Sequence, residues 1–340
     1  MYDPVDSDQF LYYREATDGQ ILEEGITEAG AISSFIAAGT SYSNHSINMI
    51  PFFIYYSMFG FQRVGDFIWA AADMRTKGFL LGATAGRTTL AGEGLQHQDG
   101  HSHLFSATIP NCLSYDPAYA YELAVIFQHG IQKMFVEQQN YYYYITVTNE
   151  NYEQPEQPKG IEKDVIKGLY KVSSCTNPQI RLLGSGAILK ESIAAQEVLK
   201  KYSINAEVWS ATSFNLLRKD GMEAERYNQL NPHKEKHTTH IDKCFGEHAI
   251  PVIATTDYMR AYADQIRPYI YSSYSVLGTD GFGRSDSREE LREFFEINTN
   301  HIVRLTAFTL YKESTISKKQ LDEIYKDLKV DPTKPNPWEV

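Results

Sequence analysis

Cysteine is scarce, cationic side chains are outnumbered, and no apolar run is long. Three cysteines, Cys112, Cys175 and Cys244, stand far apart in 340 residues with no Cys-x-x-Cys pair. That spacing excludes a disulfide frame and a zinc knuckle, and it points to buried thiols in a reducing compartment. Lysine and arginine total 32 against 43 aspartates and glutamates, a net charge of -11. Such a chain lacks the basic patch that nucleic acid or an anionic membrane requires, so neither is expected as a partner. No apolar stretch reaches the roughly 20 residues that cross a bilayer, and the acidic N-terminus resembles neither a secretory signal nor an arginine-rich transit peptide. The cytoplasm is the expected location. Gly184-Ser185-Gly186 follows a candidate strand, but no third glycine completes a dinucleotide fingerprint and no lysine completes a P-loop. A tight strand-to-helix turn is the favoured reading there.

What the chain does contain is length and alternation. At 340 residues it exceeds the usual span of one hydrophobic core, so two domains are expected. Short runs of branched and aromatic residues at 49–56, 78–84, 109–115 and 141–147 read as strands. Helical patterns at 58–77 and 118–138 lie between them, the second with Pro117 near its start. A second series follows: strands at 179–183, 207–211 and 251–256, with helices at 189–202, 289–296 and 318–328. The fold class is therefore α/β, two domains that are each a mainly parallel sheet flanked by helices. The proline- and glutamate-rich shift after Glu150 divides the chain into 1–150, a linker at 151–160, and 161–340.

Three stretches carry candidate chemistry. Glu28 opens a helix whose inward face holds Ile32, Phe35 and Ile36 at helical spacing. A carboxyl group among aliphatic side chains tends to share or hold a proton, which suits acid/base work. A solvated first-turn glutamate favoured by the helix dipole is the ordinary alternative. The glycine-rich segment 92–103 holds Glu93, His97, Asp99, His101 and His103 without any period. A long loop of that kind inside a compact domain is usually functional or disordered, and its histidines can carry protons near neutral pH. A polar active-site loop is favoured over a solvated loop, and both over a metal site, so no residue is assigned to a metal. Tyr56 and Phe59, at a strand-to-helix junction, could form a flat wall for a planar ring, although most such aromatics are core. Thr279 to Arg288 supplies turn glycines, a helix cap at Asp286 or Ser287, and two arginines, with Arg288 read as a surface charge.

These stretches together resemble a known family. Ile26-Thr27-Glu28-Ala29-Gly30-Ala31 is similar to the glutamate-bearing helix of the pyrimidine-binding domain of transketolase-like thiamine-diphosphate enzymes. Residues 49–63, 92–103, 109–122 and 276–288 narrow the resemblance to the decarboxylating first component of the homodimeric-type pyruvate dehydrogenase complex, across nearly the whole chain. The resemblance implies a transketolase-like pyrimidine-binding domain at 1–150 and a transketolase C-terminal-like domain at 161–340. It further implies thiamine diphosphate as cofactor, with Glu28 donating a hydrogen bond to the aminopyrimidine, Tyr56 and Phe59 lining that ring, and His97 facing substrate beside Asp99, His101 and His103. Pyruvate would be decarboxylated and its acetyl group passed to a lipoyl carrier on the dihydrolipoyl acyltransferase component. The family's Gly-Asp-Gly motif and trailing Asn, a site of the kind Mg²⁺ takes, are missing here: Asp99-Gly100, Asp220-Gly221 and Asp280-Gly281 lack the preceding glycine. Mg²⁺ is therefore expected on a separate N-terminal diphosphate-binding domain or chain, the present chain being a split subunit or a fragment within a homodimer or heterotetramer. The alternatives are a non-catalytic or regulatory half-subunit, and a related enzyme for another 2-oxo acid or a ketose.

Overall fold

The computed structural model describes residues 17–246 and 248–340. Two open sheets organise them. The first is parallel throughout, in the order β1-β2-β4-β3, with β1 Phe52–Tyr56, β2 Phe79–Ala83, β3 Cys112–Tyr115 and β4 Tyr142–Thr146. Every residue of β4 is buried, as a central strand covered on both faces must be. Its tyrosines alternate between two helical layers, following the period of two in a strand. Tyr143 meets the helix Ala120–Ile131, its hydroxyl 2.9 Å from His129 Nδ1, whereas Tyr142 donates to the Ile68 carbonyl of the helix Phe61–Asp73 at 3.3 Å. Tyr144 shares the Tyr142 side and meets Phe61 edge-on, with ring centroids 4.9 Å apart.

The second sheet follows the order β5-β7-β6-β8-β9, with β5 Tyr170–Ser173, β6 Ile180–Gly184, β7 Ala206–Ser210, β8 Val252–Thr255 and β9 Tyr274–Leu277. All its pairs are parallel except β5 with β7. Leu182, Val208 and Ile253 join one core with the helices Leu189–Lys200, Thr299–Lys312 and Lys318–Asp327. Their neighbours Leu183, Trp209 and Ala254 join the opposite core with Phe214 and Leu217 of the helix Phe214–Leu230 and with Tyr262.

Several elements differ from expectation. The helix expected at 58–77 is a short turn, Ser57–Phe59, followed after Gly60 by Phe61–Asp73. Gly60 interrupts it with a non-helical backbone, ψ -94°, and only glycine fits there because a Cβ would stand 2.0 Å from the Tyr55 ring. The helix expected from 118 begins at Ala120, where the buried Glu122 carboxylate accepts the N–H of Tyr119 at 3.1 Å. Glu150, next to the stretch 151–160 read as a linker, has a side chain that is 7% exposed and pairs with Arg292 and Lys190. Strands β5 and β9 and the helices Phe214–Leu230 and Thr299–Lys312 are additional.

Candidate active site

The carboxyl end of β1 sets the site. Strand alternation buries Tyr55 and turns Tyr56 outward, 44% exposed. The Ser57–Phe59 turn then brings the Phe59 ring to 6.1 Å from that of Tyr56, inclined at 62°. His97, at the end of the helical turn Leu95–His97, completes the group, with its ring 5.1 Å from Tyr56 and 5.4 Å from Phe59. Its Nδ1 is buried and forms no hydrogen bond among the described residues, although Glu93 Oε2 lies 3.5 Å away.

Glu28 joins this cluster through a residue that the sequence did not single out. Arg63 stands two residues into the helix after Gly60; its guanidinium lies 4.5 Å from the Phe59 ring centre and donates to Glu28 Oε1 at 3.0 Å. Thr27 caps the glutamate's helix by accepting the Gly30 N–H at 3.3 Å, so Glu28 occupies the first turn. The expected apolar enclosure is thus only partial. Ile32 and Phe35 are buried deeper along the helix, whereas the Glu28 side chain sits at the rim, 18% exposed and paired with a cation.

The rest of the histidine loop is placed elsewhere. Asp99 is fully buried, and its Oδ1 accepts the N–H groups of His101 at 3.0 Å and Ser102 at 2.9 Å, so it stabilises the start of the short helix Ser102–Ser106. His101 is half-buried against Phe105, and burial lowers its pKa while Asp99 opposes that shift. His103 is enclosed by Tyr144, Tyr258 and Tyr262 and meets Thr146 Oγ1 through Nε2 at 3.0 Å. Burial pushes its pKa down to about 3, so it is neutral at physiological pH. Asp99 and His103, read with His97 as one polar substrate loop, are therefore internal groups of the fold. Gly100 allows this fold-back, since a Cβ there would stand 2.1 Å from the Arg87 guanidinium.

Sequence reasoning also missed the seam between the two sheets. Asp257, just after β8, accepts the Thr88 N–H at 3.1 Å and the Thr88 hydroxyl at 2.8 Å. Arg292 Nε approaches that hydroxyl at 3.3 Å, and Arg288, far from being a free surface charge, donates to the Thr89 carbonyl at 2.7 Å. Asp116, after β3, accepts from Thr146 Oγ1 at 2.7 Å and lies against Gly186, whose φ is +50°. Burial pushes the pKa of Asp116 up to about 7 and that of Asp257 up to about 6. A Cβ on Gly186 would stand 2.6 Å from the Asp116 carboxylate, so the Gly-Ser-Gly turn is shaped to receive that side chain. Among the described residues no group of three or more His, Cys, Asp and Glu side chains is arranged to hold a metal ion, and no helix is long and apolar enough to cross a membrane.

Comparison with known proteins agrees with this architecture. Residues 1–155 match the family model of the pyruvate dehydrogenase E1 component middle domain, and residues 168–298 that of the transketolase-like C-terminal domain. The pyruvate dehydrogenase E1 component of Cupriavidus necator is 53% identical over 344 residues, covering 100% of this chain but 38% of its own length. That of Pseudomonas aeruginosa is 54% identical over 342 residues, 99% of this chain and 39% of its own. The present chain thus spans less than two fifths of these curated relatives. Among solved structures, transketolase from Campylobacter jejuni superposes with a TM-score of 0.62 at 18% identity, over 80% of this chain and 37% of that one, which shows the fold. With two family models in sequence order and half of all positions shared with the relatives, the chain matches the middle and C-terminal parts of the pyruvate dehydrogenase E1 components along its whole length.

Proposed function

We propose that this chain supplies the pyrimidine-facing half of a thiamine-diphosphate site in a pyruvate dehydrogenase first component. Residues 1–150 act as the pyrimidine-binding domain and 161–340 as the transketolase C-terminal-like domain. A diphosphate-binding domain, as a separate chain or a preceding segment, supplies the other half together with Mg²⁺. The observation that carries this reading is the convergence of Glu28, Arg63, Tyr56, Phe59 and His97 into one patch.

That patch fits an aromatic heterocycle. Two rings offer a flat apolar wall, a carboxyl group stands at its edge, and the buried Nδ1 of His97 has no hydrogen-bond partner among the described residues. When bound, the cofactor supplies the nucleophilic carbon and the electron sink for loss of carbon dioxide from a 2-oxo acid. Glu28 would meet a ring nitrogen of the pyrimidine through the oxygen that Arg63 leaves free, and Arg63 fixes the carboxyl group by its bond to Oε1. Tyr56 and Phe59 orient the ring. His97 holds or moves a proton at the substrate, with Glu93 steering its ring from 3.5 Å. The product acetyl group passes to the lipoyl carrier of the dihydrolipoyl acyltransferase partner.

The outer strand of the first sheet supports the need for another polypeptide. Phe52, Ile54 and Tyr56 of β1 are 47%, 64% and 44% exposed along an edge that no other strand pairs with among the described residues, a surface that natural proteins cover. Carbon dioxide release from pyruvate tests the proposal. The chain alone with thiamine diphosphate and Mg²⁺ is expected to be inactive, and addition of the diphosphate-binding half is expected to give turnover that Glu28→Gln abolishes. Turnover by the chain alone, or full activity of the reconstituted Glu28→Gln enzyme, overturns it.

A further inference from the structure

His97 belongs to the first sheet's site, but the loop that carries it is clasped by the second sheet's half. Gln98 is fully buried, and its side-chain amide lies against the main chain of Arg284. The Arg284 N–H donates to Gln98 Oε1 at 2.8 Å, and Gln98 Nε2 donates to the Arg284 carbonyl at 2.5 Å. This is the two-point pairing that one strand offers another, and it needs a donor and an acceptor on a single side chain. Gly283 makes the approach possible. A Cβ there would stand 2.5 Å from Gln98 Oε1, 3.0 Å from the Leu95 carbonyl and 3.1 Å from Gln98 Cβ. Further anchors lie on both sides: Gly92 N–H donates to the Asp286 carbonyl at 2.9 Å, and Met259 N–H to that of Gly100 at 2.8 Å. The turn Leu95–His97 is held between these points, with the His97 ring seated between Tyr56 and Phe59.

We propose that Gln98, seated on the Arg284 main chain against Gly283, is a positioning residue for His97, so that the C-terminal half sets the orientation of a histidine in the other half's site. Gln98 touches no reacting atom; it acts through the chain. Removing its amide frees the 95–98 turn to rotate, and the imidazole leaves the two rings. The effect on turnover rests on the role given to His97 above, whereas the effect on the ring's seat does not.

Two variants of the whole chain separate positioning from simple stability. Gln98→Met keeps the length and loses both hydrogen bonds, while Gln98→Glu retains the acceptor for the Arg284 N–H. In histidine-labelled protein the His97 ring signals are displaced by the aromatic currents of Tyr56 and Phe59, and His301, distant in the helix Thr299–Lys312, reports that the fold persists. Gln98→Met is expected to lose more than half of the His97 displacement with His301 unmoved, and Gln98→Glu less. Gly283→Ala is expected to give the same loss from the opposite side. In the reconstituted enzyme Gln98→Met should lower kcat by up to about 100-fold with KM little changed, the scale of an ångström-sized misplacement. An unmoved His97 signal in Gln98→Met overturns the proposal. Should that variant lose the His301 signal as well, Gln98→Glu decides: partial loss of the His97 displacement with His301 in place supports positioning, and an unchanged His97 signal overturns it. If His97→Ala retains full turnover, the assignment of His97 fails, and the spectral test of Gln98 still stands.

Discussion

Replacing Asp116 by Asn should remove a loss of stability that the wild type suffers as pH rises. Asp116 lies wholly buried at the seam, and burial, aided by the charges of Asp257 and Glu122 and opposed by hydrogen bonds from Thr146 and Ser185, raises its pKa from 3.8 to about 7. For an acid, a raised folded pKa means that the fold holds a proton that the unfolded chain has released. The folded state therefore binds more protons between about 4 and 7, and stability falls as pH rises through that window, then levels. The full difference corresponds to up to about 4 kcal/mol at 1.36 kcal/mol per pH unit. The amide introduced by Asp116→Asn keeps an oxygen for Thr146 and never ionises. In urea unfolding, Asp116→Asn should exceed wild type by about 1.6 kcal/mol at pH 5 and by up to about 4 kcal/mol at pH 8, the two converging only below about pH 4. His103 contributes with the opposite sign. Its folded pKa is about 3 against 6.5, so stability is lost as pH falls below about 6.5, but it does so in both proteins and cancels in the difference. A wild-type-minus-variant difference that stays flat from pH 5 to pH 8 would refute the assignment of a protonated Asp116.

Two smaller perturbations test the seam and the wall. Arg292→Ala leaves the Glu150 carboxylate, 7% exposed, with Lys190 alone, and should cost about 3–5 kcal/mol in chemical denaturation; a loss under 1 kcal/mol would show that the pair is hydrated. Gly60→Ala drives a Cβ to 2.0 Å from the Tyr55 ring and should lower stability by about 1–3 kcal/mol. The same change should shift the fluorescence of Tyr56 and its neighbours, because the turn that aims Phe59 begins there.

The first sheet was legible because its strands are short apolar runs between helices of ordinary length, and β4, three tyrosines with isoleucine and threonine, could only be a covered strand. The helix Phe214–Leu230 was not, because its inward face uses Gly221 and Ala224 beside Phe214 and Leu217, and small residues write a weak periodic signal. Thr299–Lys312 hid likewise, burying His301, Thr306 and Thr309 among its aliphatics. In the site, Tyr56, Phe59 and His97 stood in recognisable blocks, and the structure gathers them. Arg63 was invisible as a partner of Glu28, since 35 residues separate them in sequence and only helix packing brings them to 3.0 Å. Asp99 and His103 were misplaced for a related reason. A glycine-rich run with histidines signals irregular backbone, but which side chains turn inward depends on what covers the loop.

What covers it follows from the order of the second sheet. The chain passes from β6 to β7 on one side and then crosses back past β6 to β8 on the other, so the sheet's topological switch lies between β6 and β8. Open α/β sheets offer a crevice at the carboxyl ends of such strands, the usual seat of a ligand. Here Ser185 and Thr256 close it with a 3.0 Å hydrogen bond, and the first half fills the rest: Asp116 against Gly186, and the 86–88 turn on Asp257. Gly86, with φ +92°, would place a Cβ 2.2 Å from Asp257 Oδ2, so the turn is cut to that carboxylate. A crevice that elsewhere receives a small molecule receives two loops of the same chain, and one of those loops runs on to His97. The second half is therefore a mould for the histidine loop, gripping it across a seam at which each half contributes one buried carboxylate, Asp116 from the first and Asp257 from the second.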